Sequence, residues 1–376
     1  MPTALGNLQI LDFSRVLAGP LATMVLADLG ATVTKVERPG AGDDTRAWGP
    51  PCDERGEATY FQSVNRNKAA VALDLAAEDD LARACRLADR ADVVVENFRP
   101  GVMDRLGLGY DALAQRNRGL VYCSITGFGA GAGAALPGYD LLVQALGGLM
   151  SITGEAGGEP QKVGVALVDV ITGLFAGVGI LAALRHRDAT GEGQRVEVDL
   201  LSCLLAALVN QGSAYTLAGS VARRMGNAHP SIAPYELLRC ADGDLVLAVG
   251  NDKQFRALAT VLQRPELADD ERFATNAARV AQRAALRDEL EAALRSRAAD
   301  AWVDELSAAG VPAGRVNDIE QAFGLAEALG LQPTVDLPRE DGTIARLTRN
   351  PIRLSRTPPS YRSAPPALPE RAVEVG

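Results

Sequence analysis

The sequence is poor in the residues most often used for metal binding and proton transfer. Two histidines, His186 and His229, occur in 376 residues, which excludes histidine-rich metal sites and limits histidine-based catalysis. The five cysteines, Cys52, Cys85, Cys123, Cys203 and Cys240, are odd in number, widely spaced and without a C-x-x-C pair. That spacing supports neither a disulfide framework nor a zinc site, so metal independence and a reducing, cytoplasmic setting are the expectations. Lys and Arg form no cluster against the formal net charge of −9. The electrostatic footprint of a nucleic-acid binder, or of a protein held on an anionic membrane, is therefore missing. Met1 to Leu11 lacks the basic start and long apolar run of a secretory signal. The one long apolar stretch, Val163 to Leu184, is interrupted by Asp169 and by glycines at 164, 173, 177 and 179. A lone carboxylate in lipid is costly, so a buried helix of a large domain is expected there rather than a span.

What is present is the texture of an ordinary globular protein, 47% hydrophobic and 23% charged. At roughly 150 residues per domain the chain has room for two or three domains. Leu8 to Phe13 reads as a strand, Pro20 to Gly30 as a helix with Pro20 at its first position and Gly30 just past its end, and Ala31 to Val36 as a second strand. Strand, helix, strand and strand follow at about Ala70 to Leu75, Glu78 to Arg90, Val93 to Val95 and Leu120 to Ile125. This alternation predicts an α/β fold with a parallel sheet. A nicotinamide-dependent dehydrogenase shares the layout, and Glu37 stands where a ribose-binding acid would sit. The first turn, however, reads Ser14-Arg15-Val16-Leu17-Ala18-Gly19-Pro20 and lacks the G-x-G-x-x-G fingerprint.

From Tyr235 the pattern changes to two strands about an Asp242-Gly243 turn, a hairpin signal. Helical segments follow at Asp252 to Leu262, Ala277 to Ser296 and Ala301 to Ala309, which together predict a smaller α+β domain. The Pro-rich stretch from Pro358 to Pro369 reads as extended chain laid on a surface or on a partner.

Asp169 is the strongest candidate for chemistry. It stands at the head of a helix that runs to Arg187, where it can serve as the N-cap. The helix dipole and N–H donors there favour the ionised carboxylate that a nucleophile must be, so both readings are compatible. Gly173 and Gly177 lie one turn apart and make a smooth face, for close helix packing first and for a long, thin ligand arm second. Tyr139 and Asp140 open a further helical run, either as a plain helix start or as a phenol and a carboxylate at the edge of a site.

Ordered matches along nearly the whole chain resemble the class III coenzyme A transferases, of the formyl-CoA and carnitine-CoA transferase type, and their relatives the α-methylacyl-CoA racemases. They are Asp12 to Pro20, Lys35-Val36-Glu37-Arg38-Pro39-Gly40, Asn65-Arg66-Asn67-Lys68, Glu96-Asn97-Phe98-Arg99-Pro100-Gly101 and Thr126-Gly127-Phe128-Gly129. Pro137-Gly138-Tyr139-Asp140, Asp169 with its glycine-bearing helix, Thr190 to Gln194, Arg272 to Asn276 and Gly310 to Gly314 continue the series.

The resemblance implies a Rossmann-like large domain at 1–200 completed by 325–376, a linker at 201–224, a small α+β domain at 225–309 and a return linker at 310–324. It also implies a homodimer of interlocked rings. No cofactor is held permanently, coenzyme A and acyl-CoA being substrates together with a carboxylic acid. The positions matching the family's coenzyme A site are Val16, Leu17, Ala18, Arg38, Asn65, Arg66, Asn67, Lys68, Asn97, Phe98, Arg99, Arg105, Gly138, Tyr139 and Asp140. For Arg38 and Arg105 an exposed surface charge is the plain alternative. Asp169 matches the family's aspartate, which attacks the donor thioester to give a mixed anhydride and then an aspartyl-CoA thioester.

Two departures stand out. Gly129 to Leu136 is Ala- and Gly-rich where relatives carry polar residues, and Arg315 replaces a common proline. Relatives with racemase activity carry histidine where this chain has Tyr139, which makes a racemase the second reading and a non-catalytic acyl-CoA binder the third. Gly226 to Ser231 resembles transferases that use dicarboxylates such as succinate or glutarate.

Overall fold

Runs of β-branched and apolar residues form six short strands, and the helices between them lie across the sheet they build. The computed structural model describes residues 3–339 and 341–369. The chain folds as two compact units, Met1–Leu149 with Lys162–Val221 and Gln332–Gly376, and Met150–Gln161 with Ala222–Leu331.

In the first unit β1 (Gln9–Asp12), α1 (Ala18–Asp28), β2 (Thr32–Glu37), α2 (Thr59–Ser63), β3 (Lys68–Ala72), α3 (Glu78–Arg90) and β4 (Val93–Glu96) follow in turn. Then come α4 (Val102–Arg105), α5 (Tyr110–Ala114), β5 (Val121–Thr126), α6 (Asp140–Leu146), α7 (Leu149–Ile152), whose residues from Met150 on belong to the second unit, and, again in the first, α8 (Leu167–Thr190), β6 (Arg195–Asp199), α9 (Leu200–Ala207) and α10 (Val209–Ala218). The sheet order is β3-β2-β1-β4-β5-β6 with every pair parallel. That is the doubly wound Rossmann-like order, whose reversal point lies between the first and fourth strands. The central strands are buried on both faces, and β4 exposes none of its four residues, as parallel sheets covered by helices require.

The second unit carries β7 (Tyr235–Arg239) and β8 (Asp244–Ala248), followed by α11 (Asp252–Val261), α12 (Asn276–Ala281), α13 (Arg283–Leu294), α14 (Ala299–Ala308), β9 (Ala313–Arg315) and α15 (Ile319–Ala328). The expected hairpin is present, with Arg239 opposite Asp244. Its own core gathers Phe255, Phe273, Leu290 and Trp302. The chain then returns to the first unit with β10 (Thr334–Pro338) and β11 (Ile344–Thr348).

Several boundaries differ from the sequence reading. Helix α1 begins at Ala18, so Pro20 is its third residue and not its first. The segment 201–224, expected as a linker, is mostly α9 and α10; α9 is apolar on nearly every side, and α10 scatters Asn210, Gln211 and Ser213 among apolar residues, so neither gives an amphipathic period to read. The expected return linker holds β9, a three-residue strand too short for a periodic signal, which pairs with β8 through Leu247 and Ala313. Extended chain from Pro358 lies along the first unit, where Ser360 N–H donates to the Asp28 carbonyl and Asn67 binds Arg362 and Ser363.

Helix α8 is long and apolar enough to cross a bilayer by length and composition, and α9 with α10 passes the same measure only as a pair bent by 84°. One face of α8 is buried through Thr172, Ala176, Ile180 and Leu184. Leu174, Phe175 and Val178 on the other are exposed, so the helix is half covered and not fully buried as expected. A Cβ at Gly173 would lie 2.5 Å from the Ala18 carbonyl oxygen, whereas one at Gly177 would meet nothing. The smooth face is thus a close approach of α8 to α1 at Gly173 alone.

Candidate active site

The carboxyl ends of β1 and β4 diverge at the reversal point of the sheet, the place where ligands of such folds sit. The turn after β1 is held there by side chains from three directions. Asn97, after β4, accepts from Arg15 N–H and donates to the Arg15 carbonyl, both at 2.8 Å. Lys35 Nζ donates to the Ser14 carbonyl at 2.8 Å and pairs with Asp43 at 2.9 Å. Asp43 also accepts from Val16 N–H at 3.3 Å. Val16 has φ 70°, a left-handed conformation that costs a β-branched residue energy and persists where its surroundings fix it. Beneath, the buried Asp12 accepts from Thr23 at 2.6 Å and from Lys68 at 3.1 Å. Burial acts to raise Asp12, but Lys68 and Lys35 outweigh it and the carboxyl lies below its usual range. Burial lowers Lys68 to about 8.

A cleft of about 680 Å³ opens from this turn. Val16, Leu17, Ala18, Asn97, Phe98, Arg99, Gly138, Tyr139, Asp140 and Asp169 line it together. Gly138 packs backbone to backbone on Gly127, a Cβ there falling 2.8 Å from the Gly127 Cα. Arg38 is exposed at the end of β2 and lines a smaller recess of about 200 Å³ that shares Arg15 and Phe98 with the cleft.

The remaining expected coenzyme A residues do not reach the cleft. Arg66 grips Asp28 through two nitrogens at 3.0 and 2.6 Å, and Asn67 donates to the same carboxylate at 2.8 Å. Asn65 donates to the Phe61 carbonyl and accepts from Lys68. All four of Asn65, Arg66, Asn67 and Lys68 are buried with their polar groups committed inside the fold, so they shape the unit and offer no cation to a phosphate. Arg105 is exposed on α4, outside the cleft lining. Glu37 is equally committed, bound by Arg46 at 2.7 Å and by the Asp43 N–H at 2.8 Å, which removes it as a ribose ligand.

Asp169 is the third residue of α8, and the cap position belongs to Ala166, which has no side-chain acceptor. The N-cap reading is therefore corrected. Asp140, from α6, fills the role instead, accepting from Val168 N–H at 2.8 Å and Asp169 N–H at 3.3 Å. No described residue donates a hydrogen bond to the Asp169 side chain. Burial, with the Asp140 charge beside it, raises Asp169 to about 7. The expected stabilisation of its ionised form by the helix end is outweighed by desolvation.

Sequence reasoning did not single out Tyr60, Trp48, Arg15 or Lys162, all of which line the cleft. Trp48 and Tyr60 meet edge to face at 5.4 Å. Burial and the carboxylates of Asp169, Asp140 and Asp43 push the Tyr60 phenol up to about 12, so it keeps its proton as a donor. The sequence signal for the aromatic pair is an isolated Trp beside Gly49-Pro50-Pro51, a loop with no core to fill. Arg15 stacks over Phe98 at 5.2 Å and pairs with Asp44 at 3.3 Å. Lys162 and Arg99 have no ion-pair partner among the described residues.

These features define an α/β protein of Rossmann-like topology with a carboxylate at the head of a helix facing a cleft at the sheet's reversal point. The chain belongs to CoA-transferase family III, whose model matches residues 5–371. It is 44% identical to the succinate–glutarate CoA-transferase of Agrobacterium fabrum over 99% of this chain and 94% of that one. It is 41% identical to the succinyl-CoA:glutarate CoA-transferase of Mus musculus over 94% of this chain and 83% of the other. Among solved structures a CaiB/BaiF family protein from Brucella suis superposes with a TM-score of 0.87 at 44% identity, covering 98% and 97% of the two chains. The protein is accordingly a CoA-transferase, acting between CoA thioesters and carboxylates.

Proposed function

We propose that Asp169 is the nucleophile of a two-stage transfer and that the acceptor is a small dicarboxylic acid. The observation that carries the first part is the half-buried Asp169 carboxylate, without a donor and raised to about 7, on the wall of the 680 Å³ cleft. Its oxygen attacks the donor's carbonyl carbon, the C–S bond breaks, and CoA leaves as thiolate from a mixed anhydride. The thiolate then attacks the aspartyl carbonyl, releasing the donor acid and leaving aspartyl-CoA thioester. The acceptor carboxylate enters by the same two steps in reverse order. Covalent catalysis divides a hard exchange into easier steps and keeps the thioester's energy. CoA laid over Val16–Ala18 and Asn97–Arg99, with its nucleotide toward Arg38, holds the carbonyl against Asp169. Lys68 contributes from behind the turn by holding Asp12 and the Pro20 carbonyl, and Arg66 by tying the far end of α1 at Asp28 to β11.

Support for a dicarboxylate comes from the activities named for the relatives and from Lys162 in the cleft wall, which bonds the Val163 carbonyl and has no carboxylate partner among the described residues. A panel of acyl-CoA donors against mono- and dicarboxylic acids, read by mass spectrometry, tests this; turnover confined to monocarboxylates would contradict it.

Racemisation needs a second proton-transfer group at the α-carbon, and Tyr139, 64% exposed, offers a phenol, a poor general base at neutral pH. His186 lies 17 residues along the same helix from Asp169, about 25 Å away at 1.5 Å per residue. Incubation with a branched 2-methylacyl-CoA in deuterated water is expected to give no exchange at that carbon. Rapid deuterium incorporation without an acid acceptor would select the racemase.

We also propose the interlocked homodimer. The apolar residues Phe175 and Val178 of α8 and Val209, Tyr215 and Leu217 of α10 support a large covered interface, Leu217 being 87% exposed in the single chain. Sedimentation at nanomolar concentration is expected to show a dimer that does not dissociate, since threaded rings part only by unfolding. A monomer would contradict the arrangement.

A further inference from the structure

We propose that Asp140 and Gln144 of α6 form a clamp that holds the head of α8, and with it Asp169, in reacting position. The inference rests on Asp169 being the nucleophile and makes Asp140 and Gln144 positioning residues.

The chain entering α8 cannot cap its own helix. Ala166 has no acceptor, while the first N–H groups of any helix need one. Asp140 supplies it from 28 residues away, its Oδ1 accepting from the N–H of both Val168 and Asp169. Its Oδ2 accepts from Gln144 Nε2 at 2.6 Å. The other end of that amide, Gln144 Oε1, accepts from Val163 N–H at 2.9 Å. One fully buried glutamine and one carboxylate thus grip the approach segment at Val163 and the first turn at Val168 and Asp169. An attacking oxygen must be placed within a few tenths of an ångström, and a backbone fixed at two points does so.

The same carboxylate bears on chemistry. The groups whose charge couples to Asp169 are Asp140 from α6 and Tyr60 from α2, while Arg15, Arg99, Tyr139 and Lys162 line the same cleft. Tyr60 keeps its proton, leaving Asp140 as the charge that adds to burial in raising Asp169. A more basic carboxylate is the stronger nucleophile, and its protonation on the acid side gives the pH profile a limb.

The test is the pH dependence of kcat/KM for the donor thioester in the full-length parent, Asp140→Asn, Asp140→Ala and Gln144→Leu, with melting temperatures to confirm folding. Asparagine keeps an acceptor for the helix and removes the charge; alanine removes both. The parent is expected to lose activity through a limb near 7. In both Asp140 variants the limb should move to lower pH by about one unit. At pH 8 alanine should cost about tenfold more than asparagine through the lost cap. Gln144→Leu should lower kcat with the limb in place. A limb unmoved in Asp140→Asn, or equal activity in the asparagine and alanine variants, overturns the proposal. An active Asp169→Asn control would instead refute the nucleophile reading itself, so the two failures are distinguishable.

Discussion

Asp169→Asn is expected to abolish CoA transfer and, at pH 8, to make the protein more stable. Asparagine has nearly the same shape but cannot form the anhydride, and loss of a nucleophile typically costs on the order of 10⁴-fold or more, about 5 kcal/mol of barrier. The stability effect has the opposite sign. In the folded protein Asp169 titrates at about 7, above its ordinary value of 3.8. Its favourable contribution is therefore complete below 3.8 and is lost as pH rises to 7, beyond which the fold carries a charge that burial and Asp140 disfavour. Removing that charge should stabilise by about 1 kcal/mol at pH 8, after allowance for partial exposure, and by little at pH 4. Denaturant midpoints at the two pH values, with turnover in parallel, check both halves. Activity within about tenfold of the parent, roughly 1.4 kcal/mol, would remove Asp169 from the chemistry. A lower midpoint at both pH values would make it a structural residue.

Lys35→Met should be the most damaging change away from the reacting carboxylate. Lys35 and Asp43 are fully buried partners at 2.9 Å, and Lys35 also holds the Ser14 carbonyl. Methionine fills the volume but leaves Asp43 buried without its cation, which costs about 3–5 kcal/mol. Asp43 is also the acceptor for Val16 N–H and for Thr45. The strained turn that lines the cleft should loosen with it, raising KM for acyl-CoA. Chemical denaturation and the KM together measure this. Lys35→Met with Asp43→Leu should recover part of the stability, because an apolar pair leaves no charge unpaired. An unchanged midpoint in the single variant would contradict the account of the turn.

Much of the fold is legible in the sequence because its signals are local. Alternating strands and helices predict the parallel sheet, the Asp242-Gly243 turn predicts the hairpin, and α3 falls where its period places it. Helices α9 and α10 carry no such signal, since α9 is almost wholly apolar and the polar residues of α10, among them Asn210, Gln211 and Ser213, do not gather on one face. At the site Asp169 is legible as a carboxylate heading a helix, and the turn from Val16 to Ala18 as part of a recurrent pattern. Its environment is not. The true cap, Asp140, is 28 residues from the helix it caps. Arg66 and Lys68 look like phosphate ligands in sequence, but their partners Asp28 and Asp12 come together with them only in the folded sheet. Sequence shows that a residue is a cation, and the fold decides whether it faces the cleft.

The most direct measurement is the fate of oxygen-18. The tryptic peptide from Val163 to Arg185 contains one acidic side chain, Asp169. During turnover with an acceptor whose carboxylate carries oxygen-18, one labelled oxygen bridges the second anhydride and stays on the enzyme when thiolate attacks the acceptor's carbonyl. A first turnover should add one heavy oxygen to the peptide and continued turnover a second, both located at Asp169 by fragmentation. A peptide that stays unlabelled while acyl-CoA product accumulates would contradict the covalent mechanism.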